Sequence, residues 1–453
     1  MNESPREESE SASAAARASG GGPPSRRRRF GELGRSLGGA QAPRASKEGP
    51  REESESASAA ARASGGGAPR ASEKCDVLIV GGGPAGSSCA WKLIEAGLDV
   101  VVLDKAPFPR DKVCAGWITP AVVQALELDL EDYASQRTLQ PFSGFRTGPF
   151  GRALRTTDFG CPISYGIRRC EFDDYLLLRS QARLMTGCTL MDLERAGEGW
   201  IVKTSGFVSG GATRNETRGL RASMVVGAGG HFCPIARRLN PRDQQEDVVV
   251  AQEIEFRLDD ERAAACRVSG DWPELFFWSD LLGYGWCVRK GEYLNVGAGR
   301  LSRNNFPAAV REFAAMLEAR GLSGLPPGAW KGHAYLLNYT STRRLVGDRM
   351  LLVGDAAGLA LAPSGEGILS AIESGLIAAE AIIDAAPDYS GARLAAYGDR
   401  IDSRFGPRGR TGGLPTVPSW ARAAAARILL GSGWLTRRFL LEDAFLHTRR
   451  NDL

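Results

Sequence analysis

The chain has 453 residues, 43% apolar and 24% charged, with a net charge of +4. This length allows roughly two or three domains, and the small positive excess argues against a nucleic-acid-binding protein. Three scattered histidines and nine cysteines without a CxxC pair argue against a zinc ribbon or an iron–sulfur cluster. They fit reduced thiols in a cytoplasmic protein. No run reaches the ~18 apolar residues needed to cross a bilayer. The acidic start, MNESPREESE, does not read as a secretory signal.

Residues 1–73 are rich in Ala, Ser, Gly, Arg and Glu. The segment PREESESASAAARASGGG occurs at 5–22 and again, unchanged, at 50–67. It has no apolar face to stack, so it reads as a disordered tail and not a solenoid. The Arg26–Arg29 run within it reads as a solvated tail more readily than as a docking site.

Order is expected from about Lys74. CDVLIV (75–80) is an apolar run of the kind found in buried parallel strands. A helix over 85–97 and a second strand, DVVVLD (99–104), complete a βαβ unit. From 246 to 300 the texture changes to VVVAQEIEF, ELFFW, YGWCV and YLNVG, which predicts an antiparallel sheet. Lys290–Gly291 is the expected hairpin turn between the last two strands. MLLVGDA (350–356) returns to the buried-strand pattern, and a helix is expected over 366–385. Residues 407–418 read as a linker. Residues 419–450 read as basic helices, with Leu435, Phe439 and Leu446 on one face.

The expected fold is therefore α/β: a Rossmann-like dinucleotide-binding domain, an antiparallel-sheet substrate domain and a C-terminal helical segment. The first domain takes 74–117, 165–245 and 335–405. The second takes 118–164 and 246–334, and the helices take 406–453.

Two segments carry ligand chemistry. Gly81, Gly83 and Gly86 form G-x-G-x-x-G between a strand and a helix. Such glycines allow a tight turn, close approach to a pyrophosphate, and close helix packing. Asp104 ends the second strand, where a carboxylate can accept from a ribose. The second segment is LLVGDAAG (351–358), followed by Gly365 and Gly367 at a helix start. Asp355 there can hold ribityl or ribose hydroxyls. Two segments about 270 residues apart imply one extended dinucleotide, and FAD suits that better than NAD.

This pair of motifs resembles the FAD-dependent oxidoreductases of the p-hydroxybenzoate hydroxylase fold. Three more segments resemble the geranylgeranyl reductase family within it: FPRDKVCAGW (108–117), RRCEFDDYL (168–176) and GYGWCVRKGEYLNVGAG (283–299). The resemblance covers roughly 75–405. It implies that Gly81, Gly83, Ala85, Gly86 and Asp104 bind the adenosine diphosphate half of FAD. It implies that Cys114, Ala115, Arg169, Asp355, Gly367 and Ile368 lie at the cofactor, with Gly365 beside them. Tyr284 and Trp286 match an aromatic pair on the substrate sheet. With Val288 they alternate, so they share one face. The implied activity is hydride transfer between flavin and a lipophilic substrate, such as a prenyl C=C bond. The electron donor would be NAD(P)H or a reduced carrier.

The chain also departs from its relatives. Gly229 stands where the hydroxylases carry the acid of G-A-D-G, so nicotinamide handling of that kind is not expected. Trp117 replaces a glycine and narrows the space near the flavin. Val288-Arg289 replaces Phe-Pro. Cys114 is a candidate proton donor or redox thiol, activated by Lys112 and Arg110, or else a packing residue. Lys112 is a candidate for orienting substrate, and His231 reads as a loop residue. The basic aromatic stretch 419–450 is a candidate for peripheral membrane contact, or packs over the flavin domain. The rival functions are a monooxygenase or halogenase of the same fold, a dehydrogenase passing electrons to quinone, and a non-catalytic prenyl-binding protein.

Overall fold

The computed structural model describes residues 73–206, 218–241, 248–301, 306–322, 330–362, 364–409 and 417–448. The duplicated tail, the Arg26–Arg29 run and most of the expected linker lie outside these residues. The chain enters through β1 (Glu73–Val80), α1 (Pro84–Glu95) and β2 (Val100–Asp104). β2 is buried at every position, as a strand covered on both faces must be. β1 and β2 pair in parallel, as the βαβ reading requires.

A first excursion follows: β3 (Trp117–Ile118), α2 (Pro120–Ala125), α3 (Leu130–Gln136), β4 (Leu139–Phe142), β5 (Gly144–Pro149), β6 (Arg155–Asp158) and β7 (Ser164–Ile167). Then come α4 (Arg169–Arg179), β8 (Arg183–Thr186), β9 (Cys188–Ala196), β10 (Gly199–Gly206), β11 (Arg218–Gly227) and α5 (Pro234–Leu239). The second excursion holds β12 (Val248–Arg257), α6 (Asp260–Ala265), β13 (Glu274–Phe277), β14 (Gly283–Lys290), β15 (Tyr293–Arg300), α7 (Phe306–Ala319) and β16 (Lys331–Leu336). The chain returns through β17 (Val346–Gly347), β18 (Met350–Leu352), α8 (Ile368–Ala385) and α9 (Ala396–Phe405), and continues with α10 (Ser419–Gly431) and α11 (Gly433–Leu435).

Among the described residues the strands form three sheets. An eight-stranded sheet has the central order β17-β18-β11-β1-β2-β8, with β10 paired to β11 and β9 paired to β10. Its core pairs, β18–β11–β1–β2–β8, are all parallel. A seven-stranded sheet runs β16-β12-β15-β14-β13-β5-β6. Its pairs are antiparallel except β13–β5, whose strands come from the two separate excursions. A small sheet, β3-β7-β4, completes the set. The expected α/β fold with a second antiparallel sheet and C-terminal helices is what the chain adopts. β16 is continuous across residue 334, where the sequence reading had placed a boundary.

Helices α1 and α8 pack very closely because their facing residues are small. A Cβ on Gly375 would lie 2.3 Å from the Ala85 carbonyl oxygen. Both helices begin without a capping side chain and without an acid in the first turn. Their N-terminal N–H groups are therefore free to face a ligand.

Two local expectations are corrected. The β14–β15 turn is Gly291–Glu292, with Gly291 at φ +58. Lys290 is the last residue of β14 and is fully buried. The alternation that carries Tyr284, Trp286 and Val288 to one face carries Lys290 there too. In the C-terminal segment, Leu435, Phe439 and Leu446 do not share a face. Residues Thr436–Phe445 form a π-helix, whose wider turn breaks the 3.6-residue period. Leu446 is buried, whereas Phe439 is 49% exposed.

Candidate active site

One cavity of about 490 Å³ takes in every candidate site residue except Gly86. Gly81, Gly83 and Ala85 line it at the end of β1 and the start of α1. Gly81 has φ +120, which only glycine adopts readily. Gly86 lies behind this wall and sets the packing: its Cβ would fall 1.9 Å from the Gly81 carbonyl oxygen. Gly83 is different. A Cβ there would meet only the Arg110 guanidinium, at 3.5 Å, so this glycine leaves a cradle open to the cavity.

Asp104 lines the same end. Its carboxylate accepts from Gly82 N–H at 2.8 Å and Ala106 N–H at 2.9 Å. Each oxygen keeps a further lone pair for a hydroxyl. Arg110 does not turn toward Cys114, as the sequence reading allowed. It lies between Asp104 and Asp173, at 3.8 and 3.3 Å. Arg169, at the start of α4, is buried against the cavity and makes a bidentate pair with Asp173, at 2.8 and 3.0 Å. Burial works against its charge, but Asp173 and Cys114 outweigh that and hold it protonated.

The second dinucleotide segment lies opposite. Asp355 follows β18, and Gly365, Gly367 and Ile368 line the cavity at the start of α8. Burial would raise the Asp355 carboxyl, but His333, Lys112 and Arg169 outweigh it and lower its pKa to about 2. His333 Nε2 lies 3.3 Å from Asp355 Oδ2. Lys112 Nζ lies beside the same ring, 3.0 Å from His333 Nε2 and 3.1 Å from Nδ1. Burial, aided by Lys112 and Arg169, lowers the His333 pKa against the opposing pull of Asp355. Burial likewise lowers the Lys112 pKa, and this lysine is a cavity wall group, not a surface one.

The far end of the cavity is aromatic. Tyr284, Trp286 and Tyr335 line it from the seven-stranded sheet, and Trp117 and Phe445 close it. Trp286 fits because its cross-strand partner is Gly297, where a Cβ would fall 2.2 Å from the indole. Tyr284 Oη donates to the Ser364 carbonyl at 2.6 Å, tying the sheet to the second dinucleotide segment. Phe445 stacks on Trp117 at 5.6 Å and meets Tyr284 edge-on at 5.3 Å. Two polar groups in this wall, Trp117 Nε1 and Thr119 Oγ1, have no hydrogen-bond partner among the described residues. His447 Nε2 lies 2.8 Å from Glu366 Oε2.

Cys114, Ala115, Lys112, Tyr284 and Trp286 are thus brought together. Sequence reasoning passed over His333, Tyr335, Glu366 and Phe445. His333 and Tyr335 alternate on β16 just as Tyr284 and Trp286 do on β14, and that was the available signal. Phe445 counted only as one aromatic of the basic C-terminal stretch, and nothing local marked it as a cavity residue. His231, expected as a loop residue, sits in the loop after β11 and also lines the cavity.

Residues 76–147 match the family described as FAD dependent oxidoreductase. The chain is 30% identical over 341 residues to a digeranylgeranylglycerophospholipid reductase from Methanothrix thermoacetophila, covering 69% of this chain and 78% of the relative. It is 28% identical over 327 residues to a menaquinone reductase from Mycobacterium tuberculosis, covering 68% and 76%. Its fold is similar to that of a geranylgeranyl bacteriochlorophyll reductase-like protein from Thermoplasma acidophilum. That likeness has a TM-score of 0.63 at 22% identity, and covers 79% of this chain and 89% of the other.

Proposed function

The chain belongs to the geranylgeranyl reductase family of FAD-dependent oxidoreductases, and from that premise we propose that it reduces a lipophilic substrate, with a prenyl C=C bond as the first choice and a quinone as the second. The observation that carries this reading is continuity. One cavity joins a dinucleotide cleft to an aromatic chamber walled by Trp117, Tyr284, Trp286, Tyr335 and Phe445.

The residues present fit FAD. Two uncapped helix starts, the open cradle at Gly83 and the partnerless Thr119 hydroxyl all face one cleft. In this reading Gly81, Gly83 and Ala85 hold the diphosphate, with Gly86 setting their turn, and Asp104 holds the adenosine ribose. Asp355 holds ribityl hydroxyls, and Gly365, Gly367, Ile368, Cys114, Ala115 and Arg169 surround the ring system. When bound, FAD supplies reversible two-electron chemistry. The protein's part is to orient the substrate and keep water out, which the aromatic wall does. Cys114, Lys112, Tyr284 and Trp286 are the groups we assign to the reacting end.

The seven-stranded sheet is taken as the substrate domain and the eight-stranded sheet as the FAD domain. We also assign peripheral membrane contact to the C-terminal helices. Trp420, Ile428 and Trp434 are 73%, 64% and 66% exposed, among Arg422, Arg427, Arg437 and Arg438. Aromatic and basic groups together suit an anionic lipid interface. Among the described residues no helix is long and apolar enough to cross a membrane.

The test is the visible spectrum of the purified protein under anaerobic conditions. A flavin spectrum bleached by NADPH supports direct use of nicotinamide. A spectrum bleached only by dithionite supports a separate donor, consistent with Gly229 in place of an acid. The reduced protein should then saturate a geranylgeranyl lipid, read as a mass gain of one hydrogen pair per double bond. A colourless protein that does not take up FAD overturns the reading. A product that forms only with oxygen transfers it to the monooxygenase or halogenase alternative.

A further inference from the structure

The face of the seven-stranded sheet that lines the cavity is built by alternation. It presents Ala251, Glu253 and Glu255 from β12, Tyr284, Trp286, Val288 and Lys290 from β14, and Asn295 from β15. The apolar members wall the chamber, and the polar members do something else.

They grip the backbone of residues 114–116. Glu253 Oε1 accepts from Cys114 N–H at 2.6 Å. Asn295 Nδ2 donates to the Cys114 carbonyl at 3.2 Å. Lys290 Nζ donates to the Ala115 carbonyl at 3.1 Å and to the Ile167 carbonyl at 3.0 Å, and pairs with Glu255. Gly116, at φ +67, has room for no side chain: its Cβ would fall 2.6 Å from Lys290 Nζ and 2.2 Å from the Ile167 carbonyl oxygen. This segment has no regular secondary structure of its own before Trp117. A loop so gripped is fixed by side chains rather than by a ladder.

We propose that Glu253, Lys290 and Asn295 are positioning residues that set how Cys114 and Ala115 present themselves to the cavity. Lys290 costs free energy to bury, and its side chain is 0% exposed. Its three acceptors satisfy all three ammonium donors, so a packing role alone would not need a lysine. The proposal rests on the FAD reading only in naming the wall that is held.

Glu253 adds a pH signature. Burial raises its carboxyl to about 7, against the lowering effect of the Cys114 N–H and Lys290. Among the described residues Glu253 Oε2 has no hydrogen-bond partner. The other charged groups facing it are Glu255 on its own strand and Lys331 on β16, which is paired with Asp111. As pH rises through about 7, Glu253 ionises and its hold on Cys114 N–H strengthens.

The test is alkylation of the full-length protein with iodoacetamide from pH 6 to 9, without and with added FAD. Cys114 and Cys161 are quantified by peptide mass spectrometry, and exposed Cys161 is the internal reference. In the wild type, the Cys114:Cys161 ratio should show an inflection near pH 7. Glu253→Gln, nearly isosteric, should remove it. Lys290→Met should change the ratio at least tenfold. Should Lys290→Met fail to fold, Glu253→Gln carries the test by itself. No inflection in the wild type, or ratios within twofold of wild type in both variants, overturns the proposal. Failure to bind FAD would sink the flavin reading and leave the thiol measurement standing.

Discussion

His333 Nε2 stands 3.3 Å from Asp355 Oδ2, which joins strand β16 of one sheet to the turn after β18 of the other. Asp355 is thus both a candidate ligand for the cofactor and the partner of a cavity histidine. Asp355→Asn removes the charge that faces Lys112, His333 and Arg169. FAD affinity should fall at least about tenfold, or ~1.4 kcal/mol, measured by flavin fluorescence titration. The folded pKa is lowered to about 2 from an ordinary 3.8. The stability that Asp355 contributes is therefore complete above about pH 4 and is lost as pH falls toward 2. Acid melts of Asp355→Asn should lack that part of the wild-type slope.

Glu253 works in the opposite sense. Its folded pKa of about 7 lies above the ordinary 4.5, so the folded state binds the proton more tightly. Its contribution to stability is most favourable below about pH 4.5 and is lost as pH rises through 7. Glu253→Gln should therefore gain on the wild type between pH 5 and 8, by an amount on the order of 3 kcal/mol at most. Chemical denaturation at both pH values measures it.

Gly86→Ala should fail where Gly398→Ala succeeds. The first Cβ would fall 1.9 Å from a backbone oxygen; the second meets nothing within 4 Å. We expect a loss of at least about 2 kcal/mol for Gly86→Ala. Gly398, inside α9, should gain roughly 0.5–1 kcal/mol as alanine. Thermal melting of both variants decides.

Phe445→Ala opens the chamber where Trp117 and Tyr284 now meet a ring. A buried Phe→Ala change costs about 3–5 kcal/mol of stability. Affinity for a lipophilic substrate should fall with it, while FAD affinity should change less than twofold. Parallel titrations with FAD and with a prenyl lipid separate the two.

Trp434→Ser with Phe439→Ser should weaken sedimentation with anionic vesicles severalfold and leave the flavin spectrum unchanged. Their rings pack on each other at 5.8 Å and are both exposed. Binding that persists unchanged in the double variant would remove the lipid role from this segment.

Much of this protein was legible in one dimension. The runs CDVLIV and DVVVLD, and the glycines at 81, 83 and 86, determined the βαβ unit, because a parallel strand buried on both faces must be apolar throughout. The spacing of Tyr284 and Trp286 placed both on one face, because strand period is a local property. Tertiary structure alone decided what that face meets. Lys290 reads as a turn residue until β12 and β15 supply Glu255 and Asn295 beside it. His333 reads as a stray histidine until the return of the chain brings Asp355 to it. Phe445 reaches the cavity at the end of a π-helical turn, which no 3.6-residue pattern predicts. Local periodicity fixes which way a side chain points, but long-range pairing supplies its partner, and partners give these buried charges their chemistry.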